Sequence, residues 1–394
     1  MSRIVFFNIP AHGHTNPTLN VVRELRSRGH EVFYYSYDLF REKIEATGAA
    51  FCSCDPYDTQ LRLTPKQAAR LGKDLSLSTR VLADTTIALG DAVCQEMDRL
   101  KPDCIVADSM ALWGKAIAKK LNIPFVCSTT TFAFNQHSAK LMKRSPVELL
   151  RMLLSMPAIN RQLKRLQDHG YPFRSFLEIL QSDDNTHTIV YTSAEFQPYS
   201  ETFSNRFCFV GPSVRPAVSD IRKTRKKLIY VSMGTVDNKM LPLYKRCVKA
   251  IEDPDQQLIL SIGSQISPDT FAPLPEPISV FSSVDQVAVL EKADVFLTHC
   301  GMNSVSEALY FGVPLIMLPQ TPEQWAVAKR VQQLNAGIIL KDTGAVSIRK
   351  AVELLLSQST YRDNAMLISK SFRSAPGAKG AADKILSVCN ETNG

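Results

Sequence analysis

The chain has 394 residues, 45% hydrophobic and 21% charged, with a formal net charge of +8. That length suits two domains with large apolar cores, and the balance excludes a disordered, collagenous or disulfide-stapled chain. Nine cysteines, an odd number with no C-x-x-C pair, read as free thiols in a reducing compartment.

The apolar run 3–7 reads as a strand that begins at once, without a leader-like n-region or h-region. No apolar run reaches the roughly 18 residues of a spanning helix. The expectation is a cytoplasmic protein with no membrane insertion. Asn16 is placed to cap the next helix, with Pro17 in its first turn and Leu19, Val22 and Leu25 on one face. Gly29 ends that helix, and 31–36 reads as a second strand. Further on come a strand at 104–107, a helix near 109–121 and a strand at 125–127. The stretch 138–182 is helical and basic, and 188–191 is a strand.

Around 212–227 the composition shifts to Pro, Lys and Arg. The basic run from Arg222 to Lys227 has no interleaved aromatics, so it reads as a solvated linker and not as a nucleic-acid surface. Alternation then restarts, with strands at 228–232, 257–261, 295–298 and 314–318. Gly377 and Gly380 precede a last amphipathic helix at 381–388.

Repeated βαβ patterning predicts an α/β protein with two Rossmann-like domains facing a cleft. Ligands of such sheets bind beyond the carboxyl ends of the strands. Five polar clusters follow strand ends: 11–17, Asp108, Ser232-Met233-Gly234-Thr235, 299–304 and 320–324. His14 with Asp108 could act as a base and its orienting carboxylate, because an imidazole can take the proton of an attacking hydroxyl. His12 competes for that role, and both residues could instead serve helix starts. His299 to Glu307 runs from a loop into a helix N-terminus, which attracts phosphate; Gly301 permits close approach, and Asn303 and Ser304 add donors. Ser304-Val305-Ser306-Glu307 also reads as a capping box, leaving Glu307 either structural or a partner for a ribose diol. Glu323 and Gln324 suit sugar hydroxyls or a capped helix start before Trp325. Asp253-Pro254-Asp255 resembles a metal-binding D-x-D but precedes its strand, at the wrong sheet edge, and reads as a turn. No metal site is expected.

In PAHGHTNPTLN, EFQPYSETFSNRFCFVGPS and VDQVAVL…THCGMNSVSEALYFGVPLIMLPQTPEQ, the sequence resembles the UDP-glycosyltransferases of family one. It is most similar to their bacterial macrolide-type branch, which includes Bacillus enzymes that glucosylate flavonoids and phenols. The resemblance covers nearly the whole chain and implies the GT-B fold. It implies an acceptor-binding domain at 1–213, a linker at 214–226, a donor-binding domain at 227–375, and a helix in 376–394 that packs back on the first domain. By position it makes His14 the general base and Asp108 its partner. It puts Thr235, His299, Asn303 and Ser304 on a diphosphate, Gln286 on the nucleoside, Glu307 on the ribose, and Glu323 and Gln324 on the sugar. The implied reaction is metal-independent, inverting transfer of a hexose from a UDP-sugar co-substrate to a small hydroxylated acceptor, with no resident cofactor. Ser283 and Asp285 stand where many relatives carry an aromatic ring and a proline. A sugar-nucleotide epimerase of the same fold, or a non-catalytic UDP-sugar sensor, is the alternative reading. Phe132, Phe134 and Phe173 read as core or as acceptor pocket.

Overall fold

A computed structural model of the chain describes residues 1–58, 64, 74–135, 137–138, 146–173, 175, 178, 185–234 and 240–391. It divides into two compact units. The first comprises Met1–Thr192, Tyr199–Ser213 and Pro376–Gly394, and the second Ser193–Pro198 and Val214–Ala375.

The first unit is built on a parallel sheet in the order β3-β2-β1-β4-β5-β6-β7. Its strands are β1 (Arg3–Phe7), β2 (Glu31–Ser36), β3 (Ala50–Ser53), β4 (Cys104–Asp108), β5 (Phe125–Thr129), β6 (His187–Val190) and β7 (Phe207–Phe209). Every residue of β4 is buried, as a strand covered by helices on both faces requires. Between the strands run α1 (His12–Ser27), two short helices α2 (Arg41–Glu45) and α3 (Asp55–Asp58), α4 (Leu75–Leu100), α5 (Leu112–Leu121) and α6 (Pro146–Asp168).

Helix α1 starts at His12 after Ala11, and not behind an Asn16 cap. The carbonyl of Ala11 accepts the amides of His14 and Thr15 at 3.1 and 3.0 Å, so a backbone turn opens the helix and Pro17 lies inside it. Phe132 and Phe173 are fully buried, which makes them core.

The second unit carries a parallel sheet in the order β10-β9-β8-β11-β12-β13. These strands are β8 (Lys227–Ser232), β9 (Gln256–Ser261), β10 (Ile278–Phe281), β11 (Val295–Thr298), β12 (Leu315–Met317) and β13 (Gly337–Ile339). The helices are α7 (Leu241–Ala250), α8 (Gln286–Leu290), α9 (Met302–Tyr310), α10 (Pro322–Gln333), α11 (Ala345–Ser357) and α12 (Ser359–Ser374). The last helix, α13 (Gly377–Asn390), returns to the first unit, where Ala381, Ala382, Ile385 and Val388 join its apolar core.

The basic run is exposed along much of its length and makes ion pairs with the second unit. Lys223 pairs with Asp294, Lys226 with Asp255 and Arg225 with Glu276, and the Thr224 amide donates to the Gln257 side chain at 2.8 Å. Among the described residues no helix is long and apolar enough to cross a membrane.

Candidate functional site

In a parallel sheet all strands end at one edge, so the loops after β1, β4 and β5 collect there. His14 lies in the first turn of α1, and Asp108 closes β4 with its side chain fully buried. Nδ1 of His14 stands 2.8 Å from Oδ2 of Asp108. The second carboxylate oxygen, Oδ1, accepts the amide of Met110 at 2.8 Å, so the carboxylate is held on both oxygens. A carboxylate only accepts, which places the ring proton on Nδ1 and leaves Nε2 as the basic nitrogen. His12 is exposed instead, edge-on to Phe40, and partial desolvation against its neighbours, with nearby Lys43, lowers its pKa.

Two neighbours of His14 escaped the sequence reading. The Thr130 hydroxyl lies 3.2 Å from its Nδ1. Buried Asn8 donates its amide to the carbonyl of His14 at 3.0 Å and to the hydroxyl of Tyr34 at 2.9 Å. Burial pushes the Tyr34 phenol up to about 12, so it stays a protonated member of this network. Both Asn8 and Thr130 directly follow strands, and that position was their available signal.

In the second unit the loops after β8 and β11 meet. Gly234 has φ +79°, and a Cβ there would lie 2.5 Å from Cε1 of His299, so only glycine admits the ring. Nδ1 of His299 is buried with no partner among the described residues, and burial lowers the pKa of the ring. Cys300 adopts φ 71°, a costly conformation for a residue with a Cβ. Gly301 then opens α9, whose first turn of Met302, Asn303 and Ser304 has no side-chain cap. Among the described residues, a first turn without a side-chain cap, beside an imidazole whose Nδ1 has no partner, is suited to an anion.

The expected Ser304–Glu307 capping box does not form, because α9 begins before Ser304. Both side chains turn to Gln286, which opens α8. Its amide donates to Oε2 of Glu307 at 2.6 Å and to the Ser304 hydroxyl at 3.2 Å, and its carbonyl accepts from Tyr230 at 3.4 Å. Burial raises the Glu307 carboxyl above its ordinary value, and the Gln286 donor opposes that rise.

The capping box of this unit lies instead at α10, where Thr321 accepts the Gln324 amide and Gln324 Oε1 accepts the Thr321 amide, both at 3.3 Å. Glu323 is exposed beside it. Thr235 falls outside the described residues.

Among the described residues no three His, Cys, Asp or Glu side chains cluster as metal ligands. Asp253 and Asp255 form a turn before β9, where the Asp255 amide donates to Asp253 Oδ1 at 2.9 Å and Asp255 pairs with Lys226 at 2.6 Å.

Residues 245–388 match the family described as erythromycin biosynthesis protein CIII-like, C-terminal domain. The chain is 35% identical to the NDP-glycosyltransferase YjiC of Bacillus licheniformis, over 97% of this chain and 96% of that protein. It is 30% identical to the demethyllactenocin mycarosyltransferase of Streptomyces fradiae, over 98% of this chain and 86% of that protein. Among solved structures, the glycotransferase of kitacinnamycin superposes with a TM-score of 0.85 at 26% identity, covering 98% of each chain.

Proposed function

This chain belongs to the macrolide-type branch of glycosyltransferase family one, with the GT-B fold, and we propose that it moves a hexose, glucose from UDP-glucose, to a hydroxyl of a small lipophilic acceptor such as a phenol, flavonoid or macrolide. Its class of activity, glycosyl transfer from a nucleotide sugar, comes with the family. The donor, the acceptor and the residues are our reading. The observation that carries it is the imidazole of His14 held through Nδ1 by the buried carboxylate of Asp108.

Nε2 of His14 takes the proton of the acceptor hydroxyl as its oxygen attacks the anomeric carbon of the donor. Asp108 stabilises the imidazolium that forms. The bond from the anomeric carbon to the β-phosphate oxygen breaks in the same displacement, so the configuration inverts and UDP leaves. The first turn of α9, with His299, Asn303 and Ser304, receives the charge that develops on the diphosphate, the task a divalent ion would otherwise perform. Glu307 accepts from the ribose diol and Gln286 meets the nucleoside. Glu323 and the amide of Gln324 meet the sugar. The first unit binds the acceptor and the second binds the donor.

The test is a mass-spectrometric screen of phenols, flavonoids and macrolides incubated with UDP-glucose, with the product anomer read by NMR. A β-glucoside that is absent with His14→Ala supports the reading. An α-glucoside overturns the inverting mechanism. Interconversion of the free UDP-sugar without any acceptor would make the protein an epimerase.

A further inference from the structure

One carboxylate in the second unit does more structural work than its place in a short loop explains. Asp285 is almost fully buried just before α8. Its Oδ2 accepts the amides of Val218 and Ser219 at 2.6 and 3.0 Å, and its Oδ1 accepts Nη2 of Arg215 at 2.5 Å. The other terminal nitrogen of Arg215, Nη1, donates to the carbonyl of Pro216 at 2.9 Å. The guanidinium is therefore fixed at both terminal nitrogens, yet the side chain remains 46% exposed. A surface ion pair has no need of a buried carboxylate and two backbone amides to aim it.

Its position supplies the purpose. Asp285 immediately precedes Gln286, which is bonded to Ser304 and Glu307. The Arg215–Asp285 pair lies close enough to Glu307 for its two charges to act on that carboxyl in opposite directions. On the reading above, the diphosphate lies at the first turn of α9 and the ribose at Glu307, so the base lies past Gln286, toward Arg215. The loop 282–285 between β10 and α8 contains no aromatic ring that could stack on it.

We propose that Arg215, set in place by Asp285, receives the pyrimidine base of the donor nucleotide. Arg215 is the contact to the base and Asp285 is a positioning residue. A guanidinium is planar, weakly hydrated and still has N–H groups to offer, so it can lie against a base or bond its keto oxygens. Uracil and thymine present the same keto oxygens and differ by a methyl group, so both UDP and dTDP are held.

This inference rests on the donor reading, and calorimetric titration separates the two. UDP, dTDP and pyrophosphate are titrated into the wild type, Arg215→Ala, Arg215→Lys and Asp285→Asn. Wild type should bind UDP and dTDP with similar affinity. Arg215→Ala should weaken both by about tenfold, the loss of one charged hydrogen bond, and change pyrophosphate binding less than twofold. Arg215→Lys can keep the ion pair with Asp285 but lacks the planar fork, so it should not restore UDP affinity. Asp285→Asn should weaken UDP in the same direction, and the double variant Arg215→Ala/Asp285→Asn should be no worse than Arg215→Ala alone.

The inference fails if Arg215→Ala binds UDP like the wild type, if Lys restores it fully, or if pyrophosphate weakens by the same factor. A wild type that binds pyrophosphate but neither UDP nor dTDP overturns the donor reading itself.

Discussion

His14 and Asp108 lie 94 positions apart in the chain, and their side chains meet at 2.8 Å because β1 and β4 are neighbours in one parallel sheet. The first prediction follows from that contact. His14→Ala should lower turnover by roughly 10²- to 10⁴-fold, the usual contribution of a positioned base, with UDP affinity unchanged. Asp108→Asn should also be impaired, since an amide cannot stabilise the imidazolium as a carboxylate does. His12→Ala should retain activity, because its ring packs on Phe40 and not on a carboxylate. Steady-state rates beside UDP titrations decide it. An inactive His12→Ala with an active His14→Ala reverses the assignment.

The second concerns metal. Turnover should survive excess EDTA, with the uncapped start of α9 and His299 carrying the diphosphate. Asp253 and Asp255 are committed to a turn and to Lys226, so Asp255→Asn should leave the rate unchanged. Complete loss of activity on chelation, restored by Mg²⁺ or Mn²⁺, would defeat the metal-free mechanism.

The third is a pH dependence. Burial holds free His299 below the ordinary histidine value of 6.5, so its ring is neutral near neutral pH. A diphosphate beside it favours the imidazolium, so the pKa is higher in the complex than in the free protein. Protonation and binding therefore reinforce each other. Affinity for UDP-glucose should rise as pH falls through the pKa of the complex and level off below that of the free ring. The phosphates of UDP-glucose stay ionised across this range, so they add no slope. Binding measured from about pH 8 to about pH 5 should show the rise in the wild type and a flat line in His299→Ala. A slope that persists in the variant assigns the proton to another group.

The fourth separates two duties of Gln324. Its carbonyl oxygen is used by the cap on α10, while its amide is proposed to meet the sugar. Thr321→Ala breaks the cap alone and should cost about 1 kcal/mol of stability, with KM for UDP-glucose within twofold of the wild type. Gln324→Ala should lower stability similarly and raise KM as well. Equal KM values in the two variants would reduce Gln324 to a capping residue.

Sequence reading reached the central strands because a strand buried on both faces must be apolar throughout. The residues of β4 and β11 show that pattern. It missed β3, β10 and β13, which lie at the edges of the two sheets. Each is only three or four residues long and half-buried for much of its length, so its apolar run is too short to stand out.

Placing polar clusters after strand ends was enough to single out His14, Asp108, His299 and Glu307, because parallel strands all deliver their ends to one edge. Which groups touch was beyond it. Helices α1 and α9 begin at backbone turns after Ala11 and Gly301, which bear no side-chain cap, so Asn16 and Ser304 looked like starts and were not. Whether His12 or His14 meets Asp108, why Gly234 must be glycine beside His299, and how Asp285 aims Arg215 all depend on contacts between residues far apart in the chain. Local pattern carries the period of a helix or strand and the residues that can end it. Hydrogen bonds that cross a sheet edge are set only when packing fixes how one strand lies against the next.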